Sequence, residues 1–179
     1  MRRTVLIVLS TVFLFACSLW LGGLAANISF TNPDVFRTLD TVQFGVMGKV
    51  LAGVKSSILS GAVVACLVAL GELVYRMKSE TRSLLFARLV VLTVALSLTV
   101  FVLNQMVPRM EVIRVTPDPT DAKWTQFYGM HASMRRISVL VLACGVAAIA
   151  LTAAADISQR RKENGSRSSR RHHERRTSE

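Results

Sequence analysis

LLFARLVVLTVALSLTVFVLNQMV, from Leu84 to Val107, carries one charge, Arg88, and is otherwise apolar or weakly polar. A helix needs about 20 mostly apolar residues to cross a hydrocarbon core about 30 Å thick, and this stretch is long enough. Lipid offers no water to satisfy backbone groups, so such a segment is predicted to be helical. Three more blocks share its character. Thr4 to Ala26 holds no charge, Ser56 to Tyr75 holds only Glu72 near its end, and Ile137 to Ala155 holds none. The spacing predicts four spanning helices at about 4–26, 50–75, 84–107 and 137–157.

Composition agrees. Of 179 residues, 51% are hydrophobic and 18% charged, with a mean hydropathy of +0.44. A soluble domain has about 25% charged residues. The fold class predicted is all-α: an integral membrane four-helix bundle over residues 1–157, followed by a basic tail over 158–179. After Ile157 the chain has no apolar residue, so the tail has nothing to bury and is predicted to be disordered. Arginine clusters beside a last helix favour anionic lipid over nucleic acid, so no nucleic-acid partner is expected.

Lys and Arg are enriched on cytoplasmic flanks. With the N-terminus inside, fourteen basic residues fall on that side: Arg2, Arg3, Arg76, Lys78, Arg82, Arg88 and eight from Arg160 to Arg176. The other side receives eight, at Arg37, Lys49, Lys55, Arg109, Arg114, Lys123, Arg135 and Arg136. Both termini are expected to be cytoplasmic, in a multi-pass plasma or inner membrane protein. Met1-Arg2-Arg3 before an apolar run also suits a signal peptide, and Leu14-Phe15-Ala16-Cys17 resembles a lipoprotein cleavage box. The run exceeds the usual apolar region of about 7–15 residues, which favours a retained helix.

Small residues four apart predict close helix packing. Gly53, Ser57, Gly61, Ala65 and Ala69 form one such series, and Ser18, Gly22 and Ala26 another. Thr93, Ser97, Val100 and Asn104 share a face of the third helix with Gln105 beside it, and Asn104 is expected to hydrogen-bond another helix. Ionisable residues in membrane segments are functional suspects by default, but here each has an escape. Lys49 and Lys55 can snorkel. Glu72 precedes Arg76 by four residues and Asp156 precedes Arg160 by four, the favourable order for ion pairs on one helix. Cys17, Cys66 and Cys144 lack paired spacing and suit buried apolar positions.

His131 is the one histidine outside the tail, close after Trp124, Phe127 and Tyr128, which suit an interfacial aromatic belt. The Pro117-Asp118-Pro119-Thr120-Asp121 stretch before it predicts a turn. One histidine does not make a metal cage or a bis-histidine haem site. No catalytic, cofactor-binding or metal site is therefore assigned. His131 with Met110, Met130 or Met134 is the candidate soft-ligand set for haem or copper.

Three short motifs carry a family resemblance. They are Leu19-Trp20-Leu21-Gly22-Gly23 followed by Pro33 and Phe36, then Val107-Pro108-Arg109-Met110-Glu111 with Arg114, then Phe127 with His131 four residues on. In these the chain resembles the transmembrane protein 205-like family of four-span membrane proteins, from about Leu19 to Ile157. The family usually has Gly after the His, where Ala132 stands here, and Ser three beyond it, whereas Ser133 comes one residue early. The resemblance implies a four-helix membrane domain without an assigned reaction. A remoter likeness reaches four-helix copper-resistance and haem-binding membrane proteins. The expectation is a non-enzymatic structural or transport-associated membrane component able to form homo-oligomers, with a haem- or copper-handling redox protein using His131 as the alternative.

Overall fold

The computed structural model describes residues 2–30, 41–76, 81–114 and 121–176, with side chains described over most of these segments but not from 160 onward. Pro33 and Phe36, the turn at 117–120 and the side chains of Lys49 and Arg160 lie outside the described residues. Among those described, every regular element is helical: α1 (Arg2–Phe30), α2 (Thr41–Tyr75), α3 (Arg82–Phe101), a π-helical turn at Val102–Met106, α4 (Val107–Arg114) and α5 (Asp121–Arg176). Four of these stretches are long and apolar enough to cross a membrane: Thr4–Ile28, Gly53–Tyr75, Arg82–Met110 and Ala122–Gln159.

Each long helix packs on the next in chain order, and α1 also meets α5. The buried positions alternate in steps of three and four. On α1 they run through Phe13, Cys17, Trp20, Leu24 and Asn27, with Ala16 buried beside Cys17, and on α3 through Leu85, Arg88, Leu92, Ala95 and Thr99. On α5 they run through Phe127, His131, Met134, Ser138, Val141, Gly145, Ala148, Thr152 and Ala155. That is the a/d spacing of helices lying at a shallow crossing angle. The outward faces are apolar too: Phe15, Leu67, Val74, Phe86 and Val146 are all exposed. Helices apolar all round suit a lipid surround.

The helices extend beyond the apolar blocks. α5 starts at Asp121 rather than near 137, so Trp124 to His131 belong to the spanning helix and not to a loop before it. Its backbone also stays helical to Arg176, past residue 158 where composition predicts a disordered tail. Gln, Arg, Lys and Glu are good helix formers, and prolonging an existing helix needs no new nucleus.

A run spaced strictly by four drifts about 40° per step around a helix of 3.6 residues per turn. Only part of each predicted series therefore stays in the contact. Gly61, Ala65 and Ala69 are buried, whereas Gly53 and Ser57 are exposed. On α1, Ser18 and Gly22 are exposed and Ala26 is half-buried. Ser18 and Ser57 bond the carbonyls of Leu14 and Gly53 on their own helices. At Gly61 a Cβ would lie 2.8 Å from both the Ala16 carbonyl oxygen and the Trp20 amide nitrogen. Those are backbone atoms and cannot swing aside. Gly61→Leu should therefore fail to fold or lose thermal stability by more than the ~1–3 kcal/mol of ordinary overpacking. Leu67→Ile, on the exposed face, should melt within a degree or two of the parent in a detergent thermal-shift series, an effect on the order of 0.5 kcal/mol.

Candidate functional site: a buried charge cluster joining four helices

Arg88 lies six residues into α3, about 9 Å along its axis at 1.5 Å per residue. The three-four spacing that buries Leu85 and Leu92 buries Arg88 between them, with no exposed surface. Its guanidinium meets three other helices. From α2, Glu72 Oε2 lies 2.8 Å from Nη1, and the Ala69 carbonyl accepts from Nη2 at 3.4 Å. From α5, the Thr152 hydroxyl accepts from Nη1 at 3.1 Å while donating to its own Ala148 carbonyl at 2.8 Å. From α1, the Phe13 ring lies under the guanidinium carbon at 4.9 Å, a cation–π contact that strengthens when desolvated.

Glu72 is the shared anion, 1% exposed. Its other oxygen lies 3.0 Å from Nη2 of Arg76, and that nitrogen also donates to Asp156 on α5 at 3.0 Å. Arg76 Nη1 donates to Gln159 at 3.0 Å. Two arginines and two carboxylates thus form a neutral quartet. The Glu72 contacts are close by distance but off-angle for hydrogen bonds, and Nε of Arg76 and of Arg88 is buried without one. Coulomb attraction in a poorly screened interior, more than hydrogen-bond geometry, holds the centre. The Glu72–Arg76 pair stands as its spacing predicts. Asp156 reaches across to Arg76 at the end of α2, and its expected pairing with Arg160 lies outside the described residues.

A second polar link lies deeper along the helices. Trp20 of α1 donates from Nε1 to the Thr99 hydroxyl of α3 at 3.2 Å, and Thr99 donates to the Ala95 carbonyl at 2.8 Å. Trp20 is fully buried, and Gly23 beside it would bring a Cβ within 2.7 Å of Ile58. Asn104 does not take the role expected of it. It lies exposed on the π turn and makes no hydrogen bond to another helix among the described residues. Thr93 and Ser97 bond their own helix at the carbonyls of Leu89 and Thr93. Val100 and Gln105 are exposed with them.

The π turn sits just before Pro108. Proline has no amide hydrogen and its ring clashes with the carbonyl four residues back. The wider turn relieves this, with Val107 N–H donating to the Val102 carbonyl five residues back. The inserted residue leaves both Val102 and Leu103 buried and shifts the buried stripe by one, so that it resumes at Met110 and Ile113. A second apolar cluster forms there from Val102, Met110, Ile113, Phe127 and Met134, with Met130 packed against it.

His131 is buried on the α5 stripe between Phe127 and Met134. Trp124, Phe127 and Tyr128 contact one another edge-on or tilted, with ring centres 5.7–6.3 Å apart. Of the other motif residues, Pro108 and Arg109 are exposed. Cys17 is buried, Cys66 and Cys144 are half-buried, and all three are free. Among the described residues no three of His, Cys, Asp and Glu gather closely enough to hold a metal ion. No family model matches the chain, nor does any curated protein or solved structure.

Removing one partner of a buried ion pair strands the other, at about 3–5 kcal/mol. Arg88→Met should therefore lower stability by that order, read from denaturant or thermal melts in detergent. Adding Glu72→Gln should restore part of the loss, because it removes the excess negative charge and leaves Arg76 paired with Asp156. A double variant no more stable than Arg88→Met would show that Arg88 acts by packing alone.

Proposed function

We propose that this chain is a multi-span membrane protein of the plasma or inner membrane, a four-helix transmembrane bundle with both termini in the cytoplasm. It acts as a non-enzymatic structural or transport-associated component and self-associates, and its basic tail rests on anionic lipid. Kinship with the transmembrane protein 205-like family belongs to the same proposal and rests on the Trp20-Leu21-Gly22-Gly23, Pro108-Arg109 and Phe127/His131 motifs. One observation carries the structural reading. The Glu72–Arg76–Arg88–Asp156 cluster sets charge against charge between helices, as expected of groups that hold an assembly together.

Orientation and cofactor are tested separately. A single cysteine at Gly165, in a background with the native cysteines replaced, should react with an impermeant maleimide only after cells are opened. Labelling of intact cells would reverse the topology. The haem or copper alternative rests on His131 lying on the buried α5 face with Met134, within reach of a methionine-lined cluster. The structural reading expects purified protein without a Soret band or stoichiometric copper, and His131→Ala with modestly reduced stability. A chromophore that His131→Ala abolishes would establish the redox alternative instead.

A further inference from the structure

Far along α5 from the charge cluster lies an open groove of about 550 Å³, lined by Tyr128, His131, Ala132, Arg135, Arg136 and Val139. We infer that this groove binds an anionic phospholipid, its phosphodiester head held by Arg135 and Arg136 and its chains lying along the apolar flank of α5. The inference rests on the chain spanning a membrane, and not on which end faces the cytoplasm.

Depth supports it first. Arg136 and Asp156 are twenty residues apart on one continuous helix, about 30 Å at 1.5 Å per residue. That matches the hydrocarbon core of about 30 Å. With the charge cluster at one boundary, the two arginines come out at head-group level at the other. Charge supports it next. Both arginines are exposed, and neither forms an ion pair among the described residues. Guanidinium groups match phosphate oxygens in geometry as well as sign. The walls support a lipid over a free anion. Ala132, Val139 and the Tyr128 ring are largely apolar, and Val139 leads to exposed Ala143 and Val146 down the same face. A bare phosphate would leave that surface uncovered.

The test uses full-length protein in neutral detergent, with lipids added and counted by native mass spectrometry. Phosphatidylglycerol should saturate at one tightly held molecule, while phosphatidylcholine of the same chain length and chain-free glycerophosphoglycerol should not displace it. R135Q/R136Q should weaken retention about thirtyfold, the loss expected for two basic residues at a membrane surface. V139W keeps both charges but fills the groove, and it should weaken retention too. A tail variant with Arg170, Arg171, Arg175 and Arg176 all changed to Gln should hold the lipid as the parent does. Unchanged retention in R135Q/R136Q and V139W overturns the site, as does loss in the tail variant alone. Displacement by chain-free head group would make it a free-anion site and overturn the lipid assignment. Failure of the protein to partition into membranes at all would defeat the spanning reading, a different outcome from any of these.

Discussion

A guanidinium with no exposed surface cannot stay among apolar helices without partners. Moving an ion from water to such an interior costs several kcal/mol even after relaxation. Arg88 is in that position, and much of the surrounding packing is arranged to answer it. α2 supplies a carboxylate and a carbonyl, α5 a hydroxyl, and α1 an aromatic face. Arg76 shares Glu72 and brings a second positive charge, which Asp156 balances, and the pair carries the network toward the helix ends. These contacts need short reach, which the small residues provide. Gly61 lets α2 touch the backbone of α1, and Ala65 and Ala69 continue that surface toward Glu72.

The opposite end is built by other means. Beyond Thr99 the helix widens into the π turn that Pro108 requires, and the extra residue rotates α4 relative to α3. Without that rotation the stripe would continue to Arg109. With it, Met110 turns inward and, together with Ile113, meets Phe127 and Met134 of α5. Pro108 and Arg109 are left exposed. The motif that carries the family resemblance at this point is thus also the one that changes register. One end of the helix set is held by charge and the other by flexible and aromatic side chains.

The four spans are legible in the sequence because length and hydropathy alone imply them. Their ends are not. Hydropathy marks where lipid-compatible residues stop, whereas a helix continues until its backbone is interrupted, so α5 begins at Asp121 and takes in the aromatic belt and His131. Small-residue spacing picks out Gly61, Ala65 and Ala69, which are buried, together with Gly53, Ser57, Ser18 and Gly22, which are exposed, because no straight helix keeps a strict spacing of four on one face. The charge cluster is half legible. Glu72 and Arg76 pair on one helix as their spacing implies, but spacing along one helix gives no sign of the contact between Asp156 and Arg76 on another. The signal for the rest is the charge itself: Arg88 is the one charged residue from Leu84 to Val107, and a charge in such a segment turns to a partner on another helix rather than to lipid.

The cluster contributes register more than strength. Between membrane helices apolar contacts discriminate poorly, because lipid tails are as apolar as Leu or Val. Turning α3 by one residue, about 100°, would exchange Leu92 for Thr93 or Val91 at modest cost. The same turn would carry Arg88 out of reach of Glu72, toward lipid, and leave Glu72 and Asp156 to share Arg76 alone, with one negative charge in excess. A charged side chain turned toward lipid is costly, up to about 2.5–3.5 kcal/mol at a helix centre on an insertion scale and less toward a boundary, and the abandoned partner adds to it. Sliding α5 by one residue would likewise separate Thr152 and Asp156 from the two arginines. Apolar contacts hold these helices together, and the Arg88 cluster selects which of their many apolar arrangements they keep.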